Sequence, residues 1–106
     1  MRKIRVAFCL AALAAASSPA FAAGDAAKGK DVFDQCSVCH NADSAETKIG
    51  PGLKGLFKRD KLVNGKTPTE ANVRAKIDEG GNGMPAYKDI LSDQEKSDLI
   101  AYLKTL

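Results

Sequence analysis

Residues 36–40 read Cys36-Ser37-Val38-Cys39-His40, and no other stretch constrains this chain so tightly. The pentapeptide holds two of the three cysteines and the single histidine. Thiols three positions apart share one side of a helical turn, and an imidazole follows directly. Besides Met1 the chain has one methionine, Met84, which stands before Pro85.

That pentapeptide is the spacing of a covalent haem attachment site, in which Cys36 and Cys39 add to the two vinyl groups. One imidazole and one thioether, His40 and Met84, are what a six-coordinate, electron-transferring haem iron uses. With both axial positions filled there is little room for oxygen or peroxide, which counts against a haem peroxidase. The lone histidine excludes bis-histidine ligation within one molecule. A lysine replacing Met84 would have to shed a proton, which is unfavourable near neutral pH. Two rival chemistries use the same residues. A thiol–disulfide centre needs only Cys36-x-x-Cys39, but has no use for His40 or Met84. Zinc would find two thiolates and one imidazole without an evident fourth ligand.

The amino end reads as a cleaved secretory signal peptide, residues 1–23. Arg2, Lys3 and Arg5 form a basic start, residues 6–16 are apolar, and Ser17-Ser18-Pro19 break the run before Ala20-Phe21-Ala22-Ala23. A run of about 11 apolar residues is short of the ~20 that span a bilayer. Cys9 falls within it, so Cys36 and Cys39 are the cysteines of the domain expected over residues 24–106. A chain that short buries little apolar surface and gains from a large apolar body at its centre.

The 16 basic residues include three in the leader, so the remainder balances the 13 acidic ones. Near neutrality argues against nucleic acid as a partner. Within residues 48–66, Lys48, Lys54, Lys58, Arg59, Lys61 and Lys66 face one acid, Asp60. The stretch reads equally as a solvated loop or a docking patch.

Three helices are expected. Asp25 can cap the first, over residues 26–36, where Ala26, Gly29, Val32, Phe33 and Cys36 share a face. Gly29 suggests a second helix crossing closely. Gly50-Pro51-Gly52 is a turn, Leu53, Leu56 and Phe57 form a pocket wall or one short helical turn, and Asn64-Gly65 turns again. The second helix starts at Thr67, with Pro68 in its first position and Glu70 completing a capping box; Thr69 is an alternative cap. Val73 and Ile77 share its face, and Gly80-Gly81 ends it. Residues 82–85 are loop, with Pro85 holding Met84 out of helical geometry. Ser92 and Glu95 form a capping box for the last helix. Leu99, Tyr102, Leu103 and Leu106 line its apolar side with Ile100 at the edge, leaving Ser97, Asp98 and Lys104 to solvent.

Gly29 with Phe33, the Cys36–His40 pentapeptide, Gly50-Pro51-Gly52-Leu53, Met84-Pro85-Ala86-Tyr87 and residues 99–103 together resemble the class I c-type cytochromes, the soluble monohaem group that includes the mitochondrial protein. The resemblance implies an all-α cytochrome c fold, three main helices around one covalent haem c. Gly29 and Phe33 would meet Leu99 and Tyr102 where the terminal helices cross. The Pro51 carbonyl would accept a hydrogen bond from His40, fixing the ring and raising its donor strength. Leu53, Leu56, Tyr87 and Leu99 would shield the haem. One haem edge would stay exposed, ringed by Lys48, Lys54, Lys58 and Lys88. The chain departs from the mitochondrial group in having no tryptophan and a short stretch between Phe57 and Thr67. Arg59, Lys61, Asn64 and Lys66 are therefore only candidates for the propionates.

The function so implied is a single-electron carrier in a Gram-negative periplasm, serving a respiratory chain. It would be monomeric, would dock transiently with redox proteins, would not enter the membrane after cleavage, and would not be an enzyme. A haem-bearing subunit of a dehydrogenase or reductase complex, or a ligand-sensing haem protein, are the alternatives.

Overall fold

In the computed structural model, residues 23–106 are described. The signal-peptide reading of residues 1–23 falls almost wholly outside them. The order of elements is α1 (Ala26–Phe33), a 3₁₀ turn (Leu56–Lys58), α2 (Glu70–Glu79) and α3 (Asp93–Leu103). Among the described residues no helix is long and apolar enough to cross a membrane.

Helix α1 begins where expected. The Asp25 carboxylate accepts from the N–H groups of Ala27 (2.9 Å) and Lys28 (3.2 Å), so two donors of the first turn are satisfied. The helix ends at Phe33, three residues earlier than its apolar face suggested. Beyond it the chain tightens: the Cys36 N–H bonds to Phe33 O at 2.7 Å and the Cys39 N–H to Cys36 O at 3.1 Å. The Ser37 hydroxyl donates to Asp34 O at 2.7 Å, a local bond that competes with helix continuation. Cys36 stays on the apolar side because turns of three residues preserve nearly the same face.

Helix α2 begins at the alternative cap. Thr69 Oγ1 accepts from the Asn72 N–H at 3.1 Å, so Glu70 is the first helical residue and the expected Thr67–Glu70 box does not form. Asn72 Nδ2 donates to Thr67 O at 2.8 Å and holds Thr67 outside the helix. Gly80, with φ 62°, ends it. Helix α3 carries the full reciprocal box: Ser92 Oγ accepts from the Glu95 N–H (3.1 Å), and Glu95 Oε1 from the Ser92 N–H (3.0 Å).

Helices α1 and α3 cross at Gly29. A Cβ at Gly29 would collide with the Asp98 carbonyl and lie 2.8 Å from Tyr102 Cβ. One turn on, the Phe33 and Tyr102 rings meet at 5.4 Å between centroids. Phe33, Leu56, Val73, Ile77, Leu91, Leu99, Ile100 and Leu103 form the core, drawn from all the helical elements. Ile100 is buried in the core rather than at the edge of the apolar face.

Asp98 is buried too, contrary to its reading as a solvated residue. Its Oδ1 accepts from the Asp25 backbone N–H at 2.8 Å and from Gln94 Nε2 at 3.0 Å. A carboxylate placed at the crossing satisfies a backbone donor ahead of α1 and so avoids the cost of burial. Ser97 is half-buried and accepts from Arg74 Nη2 at 2.7 Å. Lys104 is exposed, pairing with Glu70.

Candidate functional site

Cys36, Cys39 and His40 lie on the turns that follow α1, and the His40 N–H bonds to Cys36 O at 2.9 Å. The next segment folds back onto these turns. The Gly50 N–H donates to Cys39 O (2.7 Å) and the Leu53 N–H to Asn41 O (2.8 Å). This return brings Pro51 to His40, whose Nδ1 lies 2.7 Å from Pro51 O. A carbonyl only accepts, so Nδ1 carries the proton and a neutral ring keeps its free lone pair on Nε2.

Gly50 makes that approach possible. A Cβ there would stand 2.6 Å from His40 Cε1 and 2.9 Å from Nδ1. The sequence marked Gly50 only as part of a turn; its contact with the imidazole is set by the fold-back bonds.

Met84 is held in a different way. Asn82 (φ 53°) and Gly83 (φ 88°) form a two-residue turn with both residues left-handed. Gly81 and Met84 exchange backbone hydrogen bonds across it at 3.0 and 3.1 Å. Asn-Gly is the preferred pair for such a turn, a signal present in the sequence beyond the loop that was expected. Gly80 packs beneath: a Cβ there would strike the carbonyl oxygens of Met84 and Pro85. After Pro85, the Tyr87 N–H returns to Ile77 O at 2.9 Å.

These segments surround one cavity of about 310 Å³. Cys36, Cys39, His40 and Met84 all line it, as do Pro51, Leu53, Leu56, Tyr87 and Leu99. Gly29 and Tyr102 stay outside it, at the helix crossing. Of the propionate candidates, Arg59 and Asn64 line the cavity, whereas Lys61 and Lys66 do not. Arg59 Nη2 donates to the carbonyls of Gly52 (2.8 Å) and Lys54 (2.9 Å), which ties the Pro51 turn to the 3₁₀ turn.

Burial, and after it the neighbouring Cys39, push the Cys36 thiol above the ordinary cysteine value. A reactive dithiol centre needs the opposite shift, toward the thiolate. Burial also raises the Tyr87 phenol, with Cys36 and Cys39 adding to it, so Tyr87 remains a neutral hydroxyl. Among the described residues no group of three or more His, Cys, Asp or Glu side chains is arranged to hold a metal ion. An apolar cavity bordered by two thiols, one imidazole of fixed tautomer and one thioether fits a covalently attached haem.

The family model for cytochrome c matches residues 26–106. The chain is 40% identical over 121 residues to cytochrome c2 of Blastochloris viridis, covering 98% of this chain and 93% of that protein. It is 34% identical to cytochrome c2 of Rhodospirillum rubrum, with 91% of each covered. Its fold is similar to crystalline cytochrome c6 from the diatom Phaeodactylum tricornutum, with a TM-score of 0.58 and 30% identity over 77% of this chain and 93% of that one.

Proposed function

The chain belongs to the cytochrome c family, and on that footing we propose that it carries one haem c tethered by Cys36 and Cys39, ligated by His40 and Met84, and moves single electrons between periplasmic redox partners. It is an electron carrier and not an enzyme. The bound haem supplies the one-electron ferric/ferrous couple.

The observation that carries the ligand assignment is the 2.7 Å contact between His40 Nδ1 and Pro51 O. It commits the ring to one tautomer, aligns it before a metal arrives, and makes Nε2 a stronger donor. Two thioether tethers would keep that ring within reach of the iron, so loss of the ligand would be easily reversed. Met84 supports the other axial position because, among the described residues, it is the one thioether lining the cavity and its backbone is fixed by the Gly81 exchange. A thioether favours the reduced iron relative to stronger donors. Leu53, Leu56 and Leu99 exclude water from the cavity and so limit the reorganisation that accompanies a change of charge.

Docking is assigned to the cavity rim. Ile49 (75% exposed) and Val63 (80% exposed) line the cavity and face solvent. Lys48, Lys54, Lys58 and Lys88 are exposed and would give the rim its charge. Contacts of this kind bury little surface and release quickly, as a shuttle between partners needs. The leader sequence supports export to the periplasm, and a monomer suits the shuttle.

The assignment is tested on the ferric protein from a host competent in cytochrome maturation. The pigment should resist acidic acetone, and a near-infrared sulfur-to-iron band should be present. Met84→Ala should abolish that band, lower the reduction potential and admit exogenous ligands. An unchanged spectrum and unchanged ligand access in Met84→Ala would assign the sixth position to another residue.

A further inference from the structure

We propose that Lys96 is a positioning residue for Met84: its buried ammonium fastens the segment after Met84 to α2 and α3 and so keeps the thioether in place. This rests on the reading of Met84 as an axial ligand.

Lysine is almost never fully buried unless paired, yet Lys96 is 4% exposed. Its Nζ lies 2.7 Å from Asp78 Oδ1 on α2, donates to Lys88 O at 3.0 Å, and stands 3.8 Å from Asp93 Oδ1 at the start of α3. One ammonium on α3 therefore meets two other pieces of chain, pairing with the Asp78 carboxylate on α2 and donating to the Lys88 carbonyl of the loop, while Asp93 adds a longer ion-pair contact from its own helix. A buried ion pair is poor evidence for net stability, because an apolar replacement is often as good. What it does supply here is a fixed arrangement of those pieces.

The piece that matters is the loop. Lys88 is held twice: its carbonyl takes the Lys96 ammonium, and its N–H reaches Asp78 O at 3.3 Å. Just before it, the Tyr87 N–H is bound to Ile77 O. At the other end, Gly80 lies directly beneath the backbone of Met84 and Pro85, and Lys76 Nζ donates to Gly80 O at 3.0 Å. Met84 thus sits on a short span between two anchors, one of which is built on Lys96. Lys96 itself does not line the cavity, so its influence on the iron passes through the position of that span. Without the ammonium, Lys88 O loses its donor and Asp78 its counter-ion, and conformers with Met84 withdrawn gain population.

The test uses haem-loaded ferric protein and imidazole as the competing ligand. Lys96→Met should bind imidazole about tenfold more tightly than wild type, because the Met84-off population rises, and should show a weaker near-infrared sulfur–iron band. Lys96→Arg keeps the charge and donors and should stay within about threefold of wild type. Asp98→Asn, which perturbs α3 at the α1 crossing, should match wild type in imidazole affinity even as global stability falls. Amide exchange at Tyr87 and Lys88 should quicken in Lys96→Met relative to the Gly29 region. Equal imidazole affinity in Lys96→Met and wild type, or an equal gain in Asp98→Asn, would overturn the proposal. If Lys96→Met fails to fold, Asp78→Asn is judged by the same criteria. If wild type itself lacks the sulfur–iron band, the ligand assignment falls, and unchanged exchange at Tyr87 and Lys88 in the variant would separately remove the clamp.

Discussion

The backbone N–H of Asp25 donates to the carboxylate of Asp98 at 2.8 Å, joining residues 73 apart in sequence. One bond thus ties the residue that caps α1 to the middle of α3. Together with the Gly29 approach, it fixes the depth and rotation at which the terminal helices meet.

The Asp98 carboxyl is held below the ordinary aspartate value, first by the Asp25 N–H, then by the Gln94 amide, with Lys28 assisting. Between the lowered folded value and the unfolded value of about 3.9, the unfolded chain binds more protons, so stability rises with pH there. The contribution is complete above the unfolded value and is lost as pH falls through the folded one. Asp98→Asn should therefore be less stable than wild type at neutral pH, with the gap closing in acid. Thermal melts from pH 2 to pH 7 would show this; a gap constant across the acid range would contradict it.

Gly29→Ala sets two effects against each other. Alanine favours the helix by ~1 kcal/mol. The added methyl would collide with the Asp98 carbonyl and crowd Tyr102 Cβ, and overpacking of this sort costs about 1–3 kcal/mol. The struck atom is backbone and cannot rotate aside, so steric cost should win. Denaturant melts should show net destabilisation, while Gly29→Ser should be at least as damaging. A stabilised Gly29→Ala would mean that the helices separate without penalty.

Gly50→Ala should act on the imidazole rather than on the core. The new Cβ falls within 2.6 Å of His40 Cε1, so the ring or the loop must move and the Nδ1–Pro51 bond must lengthen. Disturbing a bond of this kind typically weakens a ligand about tenfold or more. The expected signs are faster solvent exchange of the Nδ1 proton by NMR and a raised reduction potential, since a weaker donor stabilises ferric iron less. An unshifted Nδ1 resonance would show that the loop absorbs the methyl elsewhere.

Local chemistry is where the sequence was most readable. The Ser92–Glu95 box and the Asp25 cap need only residues two or three positions away, and both form as expected. The Cys36–His40 spacing is likewise local, and the four-residue set with Met84 does line one cavity. The start of α2 shows the limit of such reading. Thr67 and Thr69 are each good caps by themselves, and the Asn72 side chain, bonding back to Thr67 O, breaks the tie. Asp98 and Lys96 were harder still. Each sits among polar neighbours on α3 and is buried because a partner arrives from far along the chain, Asp25 for one and Asp78 for the other. Hydrophobic periodicity carries no trace of such a partner.

The two walls of the cavity differ in how much chain each needs. His40 and Pro51 are 11 residues apart, and the Gly50–Cys39 and Leu53–Asn41 bonds that join them are equally short-range. The Met84 wall leans on α2 and α3. Short loops close quickly and at little entropic cost. Closing the imidazole side, thiols included, therefore asks less of chain entropy than bringing the sulfur to face it.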